Sequence, residues 1–333
     1  MKYSEATASA PGRICLAGED IDWISGPSIL CAVNLRIQAT VTSLPDDHPN
    51  LLLISKEPVN IEYHLPLSGL GKYENNIMDY VHAAIKVIRD LGVEIPPIKI
   101  EINSKLPVSA GLASSAAISV VTIAALNKFF DLKLSILEIC NLAYNIEQVE
   151  LKTGAGQMDF YSCGLGGIIY INSLFVPPNP ILKYKIPENF QFIIVDTQTK
   201  HFTSKVIRWK RERLASKEPL IMQYIEQSEL TIQKMHSLLQ QENFEISEFG
   251  NYISECHYLL KDFMCVSTDL LNTCVEAALK KGALGAKLTG TGLGGCMFAL
   301  IERSKIDSIV KSISNLPVKH YITGVSELGL QIH

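Results

Sequence analysis

The sequence predicts an α+β fold in which helices pack on antiparallel sheets. Strand-like and helix-like segments are mixed along the chain. Its 333 residues suit two domains of ordinary size with a well-filled core. The proline-dense run Pro177-Pro178-Asn179-Pro180 reads as a connector, placing one domain at 1–180 and the other at 181–333.

Residues 34–43 alternate apolar and polar side chains, the period of a strand, and 51–55 and 98–103 read the same way. Over 77–91, Ile77, Tyr80, Val81, Ala84, Ile85 and Ile88 share one helical face. A long apolar helix is predicted for 114–130. Ser135 and Glu138 have the spacing of a capping box for a helix running to about Glu150. Strands follow at 166–171 and 190–196. The second domain is richer in helix, at 218–241, 244–262 and 267–281, and closes with strand, helix and strand over 295–301, 304–314 and 318–323.

Hydrophobic residues make up 47% of the chain and charged residues 19%, the composition of a globular protein. A net charge of −4 gives no electrostatic case for nucleic acid or an anionic membrane. The eight cysteines (15, 31, 140, 163, 256, 265, 274 and 296) form no CxxC pair, so they read as reduced core thiols rather than metal ligands. Met1-Lys2-Tyr3-Ser4-Glu5 does not read as a signal peptide, and no run approaches the roughly 20 apolar residues of a membrane span. A cytoplasmic protein is expected.

Three segments carry chemistry. The first in importance is Lys105–Ala117, a turn of small residues entering the apolar helix. A helix start leaves backbone N–H groups unpaired at the positive end of the helix dipole, and small residues let an anion approach them. Pro107, Ser109, Ala110, Gly111, Leu112, Ala113, Ser114, Ser115 and Ala116 therefore form a candidate phosphate seat. The Ser114 and Ser115 hydroxyls could help hold a phosphate-bound cation. No Gly-Lys-Ser/Thr follows, so this is not the common P-loop, and no strand-plus-GxGxxG unit supports dinucleotide binding. The second segment is Ala10–Trp23, with Arg13 in a Gly-flanked turn and three carboxylates, Glu19, Asp20 and Asp22, just after Gly18. Such carboxylates accept several hydroxyl hydrogen bonds, which suits a polyol. The third is Lys287–Cys296, too rich in glycine for a helix or strand interior.

In this order and at these separations the three segments resemble the GHMP kinases, whose members include galactokinase, homoserine kinase, mevalonate kinase and phosphomevalonate kinase. The resemblance runs from about residue 8 to about residue 300 and is nearest to the galactokinase-like sugar kinases. It implies an N-terminal domain with a ribosomal-protein-S5-like part and a ferredoxin-like C-terminal domain. It also implies ATP and Mg2+ as cofactors, with magnesium held by Ser115 and Glu147. Glu147 lies 12 residues before Asp159, as the corresponding galactokinase residues do, and Glu150 is the second choice. Asp159, in Gly154-Ala155-Gly156-Gln157-Met158-Asp159, becomes the catalytic acid/base, with Arg13 as its cation and Gly156 leaving room for substrate.

Glu19 and Asp22 match the galactokinase Glu-His-x-Asp, whereas Asp20 replaces the histidine. Gly290 and Gly292 would close over the acceptor, with Thr289 and Thr291 supplying hydroxyls. Asn76–Val81 and Asp196–His201 are further galactokinase echoes. A substrate-contacting tyrosine of that family is missing from Val206–Arg211, where Arg208 or Trp209 is expected to take its place; an arginine there would favour a carboxylate-bearing sugar. The expected activity is phosphorylation of a small sugar, a hexose, pentose or uronic acid, on its anomeric hydroxyl. The alternatives are mevalonate kinase or a related alcohol kinase, and a non-catalytic regulator that binds sugar and ATP.

Overall fold

The computed structural model describes residues 4–57, 60–107, 111–199 and 203–333. Two sheets organise the chain. The first half contributes β1 (Glu5–Ala17), β2 (Pro27–Ser43), β3 (Leu51–Glu57), β4 (Ile61–Leu65), helix α1 (Met78–Asp90) and β5 (Ile98–Ser104). Next come α2 (Ser114–Phe130), α3 (Ile136–Asn145), a π-helical turn (Ile146–Glu150), α4 (Met158–Leu165), β6 (Ile168–Asn172) and β7 (Ile181–Tyr184). The eight-stranded sheet runs β12-β1-β2-β5-β3-β4, where β12 (Gln331–Ile332) comes from the far end of the chain and β6 joins β2 to β7. β2 is long enough to pair with β6 through its first half and β5 through its second.

The remaining elements are β8 (Phe190–Asp196), α5 (Thr203–Ala215), α6 (Pro219–Leu239), α7 (Ile246–Leu259), a second π-helical turn (Leu260–Met264), α8 (Asp269–Lys280), β9 (Gly285–Thr289), β10 (Cys296–Glu302), α9 (Ile306–Ile313) and β11 (Lys319–Thr323). Their sheet is fully antiparallel, in the order β11-β8-β10-β9.

Local chemistry explains the elements that hold the site. α2 is apolar on nearly every side, as a helix buried between layers must be, and its residues from Ala116 to Leu126 are all buried. α3 begins at a complete capping box: Ser135 Oγ accepts from the Glu138 N–H at 3.3 Å, and the Glu138 carboxylate accepts from the Ser135 N–H at 2.8 Å. β1 shifts register between Pro11 and Gly12, a bulge that re-aims the strand just before Arg13.

Several expectations need correction. Arg13 lies inside a strand, not in a turn. The third glycine-rich segment begins as strand, since Lys287, Leu288 and Thr289 belong to β9. Asp159 lies in the first turn of α4. β3 and β5 pair in parallel, so the first sheet is mixed. β7 belongs to the first sheet and β8 to the second, and β12 returns the chain to the first sheet. Arg36 fastens that return, donating to the carbonyls of Ser9 and Gly329 at 2.8 Å each and of Leu328 at 3.1 Å. Among the described residues no helix is long and apolar enough to cross a membrane.

Candidate active site

The two sheets meet where the three segments converge. Gly111, Leu112 and the left-handed Ala113 (φ 60°) lead into α2, and among the described residues no side chain caps the helix. Its first N–H groups are thus available to an anion. Gly111 has φ +75°, and a Cβ there would run into the Thr289 carbonyl of β9, while a Cβ on Gly290 would strike the Gly111 backbone. The third segment therefore forms a shelf beneath the phosphate turn, and Gly290 serves that contact. Gly292 packs equally close against Val266. Ser109 and Ala110 lie outside the described residues; Pro107 is buried at the end of the stretch before them.

Arg13 joins this turn to α4. Its backbone N–H donates to Leu112 O at 3.0 Å and its Nη1 to Gly111 O at 2.6 Å. Nε and Nη2 grip both oxygens of Asp159 at 2.6 and 2.8 Å, a bidentate pair. Burial disfavours the Arg13 charge, but Asp159 and Glu19 outweigh it and hold its pKa above the ordinary arginine value. The Asp159 side chain retains 23% exposure against 4% for Arg13, so the carboxylate can still receive a ligand.

Glu147 sits on the π-helical turn after α3, buried, and forms no ion pair among the described residues. Thr153 Oγ1 donates to its Oε2 at 2.7 Å, and Ser115 hydrogen-bonds to it as well. Burial pushes its pKa up to about 7 against those two bonds, with repulsion from Asp159 adding to the rise. Tyr80, from the Asn76–Val81 segment, also hydrogen-bonds Ser115. A buried carboxylate without a cation, beside a hydroxyl at an uncapped helix start, is a donor set suited to a hard cation shared with phosphate. No group of three or more His, Cys, Asp or Glu that could hold a metal ion is assembled among the described residues. Glu150, the second choice, is occupied elsewhere, accepting from Tyr73 Oη at 2.7 Å and Lys86 Nζ at 2.9 Å.

The three carboxylates after Gly18 separate into distinct roles. Glu19 faces Lys287: its Oε2 accepts from Nζ at 2.9 Å and its Oε1 from the Gly290 N–H at 2.9 Å. Asp20, left-handed at φ 63°, pairs with the buried Lys210 and accepts from Trp23 Nε1 at 3.4 Å. In the ligand-free geometry both are engaged by buried lysines, Glu19 by β9 and Asp20 by α5, an arrangement that braces the segment after Gly18 against those elements. Asp22 alone has no ion pair among the described residues. Its Oδ2 accepts from the Met158 N–H at 3.2 Å, at the start of α4 beside Asp159. Burial, then repulsion from Asp159, pushes its carboxyl up to about 7, against the Met158 bond. Gly156 makes this contact possible, because a Cβ there would overlap the Asp22 carboxylate.

Sequence reasoning missed Lys287, Lys210, Tyr224 and Arg211. Tyr224 of α6 donates to the Glu19 carbonyl at 2.5 Å. Arg211 donates to Gly154 O at 2.7 Å, and its guanidinium lies 5.4 Å from the Trp23 ring centre. It replaces Arg208 and Trp209 as the α5 residue at the acceptor end. Trp209 instead stacks under Arg213 at 4.6 Å, and Arg208 is exposed. Thr289 Oγ1 accepts from the Cys15 N–H at 3.2 Å, whereas Thr291 Oγ1 is buried without a hydrogen-bond partner among the described residues. Thr197, from the Asp196–His201 segment, donates from Oγ1 to Gly295 O at 2.7 Å; Lys200 and His201 lie outside the described residues.

Comparison with known proteins agrees with this geometry. Residues 79–167 match the family described as GHMP kinases N terminal domain, and residues 235–318 match GHMP kinases C terminal. Residues 1–43 match the galactokinase galactose-binding signature. Mevalonate kinase of Thermococcus gammatolerans is 31% identical over 337 residues, covering 98% of this chain and 97% of the relative. Galactokinase of Thermosipho africanus is 26% identical, covering 92% of each. Among solved structures, Lactococcus lactis galactokinase complexed with galactose superposes with a TM-score of 0.82 at 19% identity, over 98% of this chain and 95% of that one. Methanococcus jannaschii mevalonate kinase gives 0.81 at 24%, over 98% and 99%. Kinases of this family use ATP. The chain belongs to the GHMP kinase family and is a kinase that acts on an alcohol.

Proposed function

We propose that this kinase transfers the γ-phosphoryl group of ATP to a small sugar in the cytoplasm, on the anomeric hydroxyl. The observation that carries this reading is Asp159, gripped by Arg13 and standing with Asp22 at the head of α4, opposite the uncapped start of α2. The match of residues 1–43 to a galactose-binding signature supports a sugar acceptor, as does a buried Asp22 able to accept hydroxyl hydrogen bonds.

Each residue has a defined task in this scheme. The N–H groups at the start of α2 take the phosphates. Ser115 and Glu147 would hold magnesium, which when bound offsets the charge of the phosphate oxygens. Asp159 accepts a hydrogen bond from the acceptor hydroxyl, orients it, and takes its proton as the new P–O bond forms. Arg13 keeps Asp159 in place and balances its negative charge. The shelf of Gly290 beneath Gly111 keeps the phosphate turn and the acceptor loop in register. A regulator without turnover is disfavoured because the base, its arginine and the buried Glu147–Ser115 pair are all assembled. Phosphorylation of mevalonate or a related alcohol is the second reading, favoured by the 31% identity to a mevalonate kinase.

A coupled ADP-release screen over hexoses, pentoses, uronic acids, inositols and mevalonate decides between them. Turnover with a sugar and none with mevalonate is expected; turnover with mevalonate alone overturns the reading.

Asp159→Asn should leave nucleotide affinity close to wild type and cut kcat at least about a hundredfold, the low end for an acid–base group. Retention of most of the turnover would remove Asp159 from the mechanism.

Asp22 and Glu147 both have carboxyls raised to about 7 by burial. The native state therefore binds their protons more tightly than the unfolded chain. Their contribution to stability is full below the unfolded carboxyl pKa and lost as pH rises toward 7. The ligand-free protein should melt at a higher temperature at pH 5 than at pH 8, and Glu147→Gln should flatten that slope. Glu147→Gln should also raise the magnesium concentration needed for half-maximal turnover. A pH slope and a magnesium titration both unchanged in the variant would place Glu147 outside the site.

A further inference from the structure

Four acids and four cations gather around the acceptor loop. Three of the acids are matched: Asp159 with Arg13, Asp20 with Lys210 and Glu19 with Lys287. That leaves Asp22 and Arg211, and neither forms an ion pair among the described residues. They do not pair with each other either, although both act on one neighbour. Tyr144, whose pKa is raised chiefly by burial, is pushed further up by the Asp22 charge and drawn down by that of Arg211. Asp22 lies behind Gly156, and Arg211 lies against Gly154 in the same short stretch. Trp23, next to Asp22 in the chain, sits under the Arg211 guanidinium. The unpaired acid and the unpaired base thus flank one region.

Resting on the reading of the protein as a sugar kinase, we infer that Arg211 receives a carboxylate of the acceptor. The preferred substrate is then a sugar acid rather than a neutral sugar, with a hydroxyl on Asp22 and its carboxylate on Arg211. The guanidinium spends one Nη2 hydrogen on Gly154 O, which leaves the other Nη2 hydrogen, together with the N–H beside it, as one edge for a planar, bidentate acceptor. The Trp23 ring, with its centre 5.4 Å from the guanidinium carbon, backs that fork. The acidic look of the loop does not oppose an anion, because Lys287 and Lys210 neutralise Glu19 and Asp20. The helix that presents Arg211 also carries Lys210, so one element both cancels an acid and offers an unpaired cation.

The test measures kcat/KM for a hexuronic acid, its neutral hexose and the hexose 6-phosphate, with wild type, Arg211→Gln and Arg211→Lys. Arg211 is exposed on α5, so the variants should fold. Wild type should favour the uronic acid over the hexose at least tenfold. Arg211→Gln should reduce that preference at least tenfold through KM for the acid, with KM for ATP unmoved, and Arg211→Lys should recover part of it. Equal or better use of the neutral hexose by wild type overturns the inference while leaving the sugar-kinase reading intact. Preference for the hexose phosphate overturns it in favour of a phosphate ligand. Equal loss with acid and neutral acceptors in Arg211→Gln overturns it too, and assigns Arg211 to holding Gly154. Turnover of mevalonate alone sinks the sugar-kinase reading, and the inference with it.

Discussion

The ion pair between Glu19 and Lys287 is the constraint on which the site depends. Both side chains are buried, and every donor and acceptor on them is used. Lys287 Nζ donates to Glu19 at 2.9 Å, Cys15 O at 3.0 Å and Leu288 O at 2.9 Å, while the second oxygen of Glu19 takes the Gly290 N–H. A buried pair so completely satisfied offsets its desolvation cost, whereas removing one partner leaves a charge in apolar surroundings. The pair joins β9 of the second sheet to the end of β1 in the first. That join sets Gly290 against Gly111, and Gly111 in turn receives Arg13, which holds Asp159. Asp159 is therefore located by a chain of contacts that begins at Glu19 and Lys287.

The same logic organises the charges. An acidic loop with all its carboxylates open would be a strongly negative surface. Lysines from β9 and α5 cancel two of the three, and the third is kept apart at the head of a helix, where the Met158 N–H receives it. Glu147 is a second carboxylate that forms no ion pair among the described residues. One of these two acids lies beside the Ser115 hydroxyl at the start of α2 and the other at the start of α4, and the charge of Asp159 adds to the rise of each.

What the sequence showed and what it hid follow from the range of each signal. Local signals were legible. The apolar run of α2 and the Ser135–Glu138 box both specify their elements without help from distant residues, and 114–130 coincides with the observed helix. β1 was not legible as a strand because it is buried on both faces for most of its length and rich in small residues, so no alternation marks it. The turn expected around Arg13 was a reading of Pro11 and Gly12, which instead make a bulge. The family resemblance singled out Asp159 and Glu147, whereas nothing in the sequence announced the π-helical turn that carries Glu147. Lys287 and Lys210 were hidden because a buried lysine looks like a surface one until its partner, more than a hundred residues away, is in place. For the same reason Glu19, Asp20 and Asp22 looked equivalent, and only tertiary contacts distinguish two braces from one open carboxylate.

Glu19 and Lys287 act as one unit that joins the two sheets, and a double-mutant cycle in urea measures their coupling. Lys287→Met and Glu19→Gln should each lower the unfolding free energy by about 3 kcal/mol or more, as expected when one partner of a buried pair is removed. The double variant should lose at least about 2 kcal/mol less than the sum of the two, the coupling expected of residues in one network. Strictly additive losses would contradict the account, because the two residues would then contribute independently and the join between the sheets would rest on other contacts.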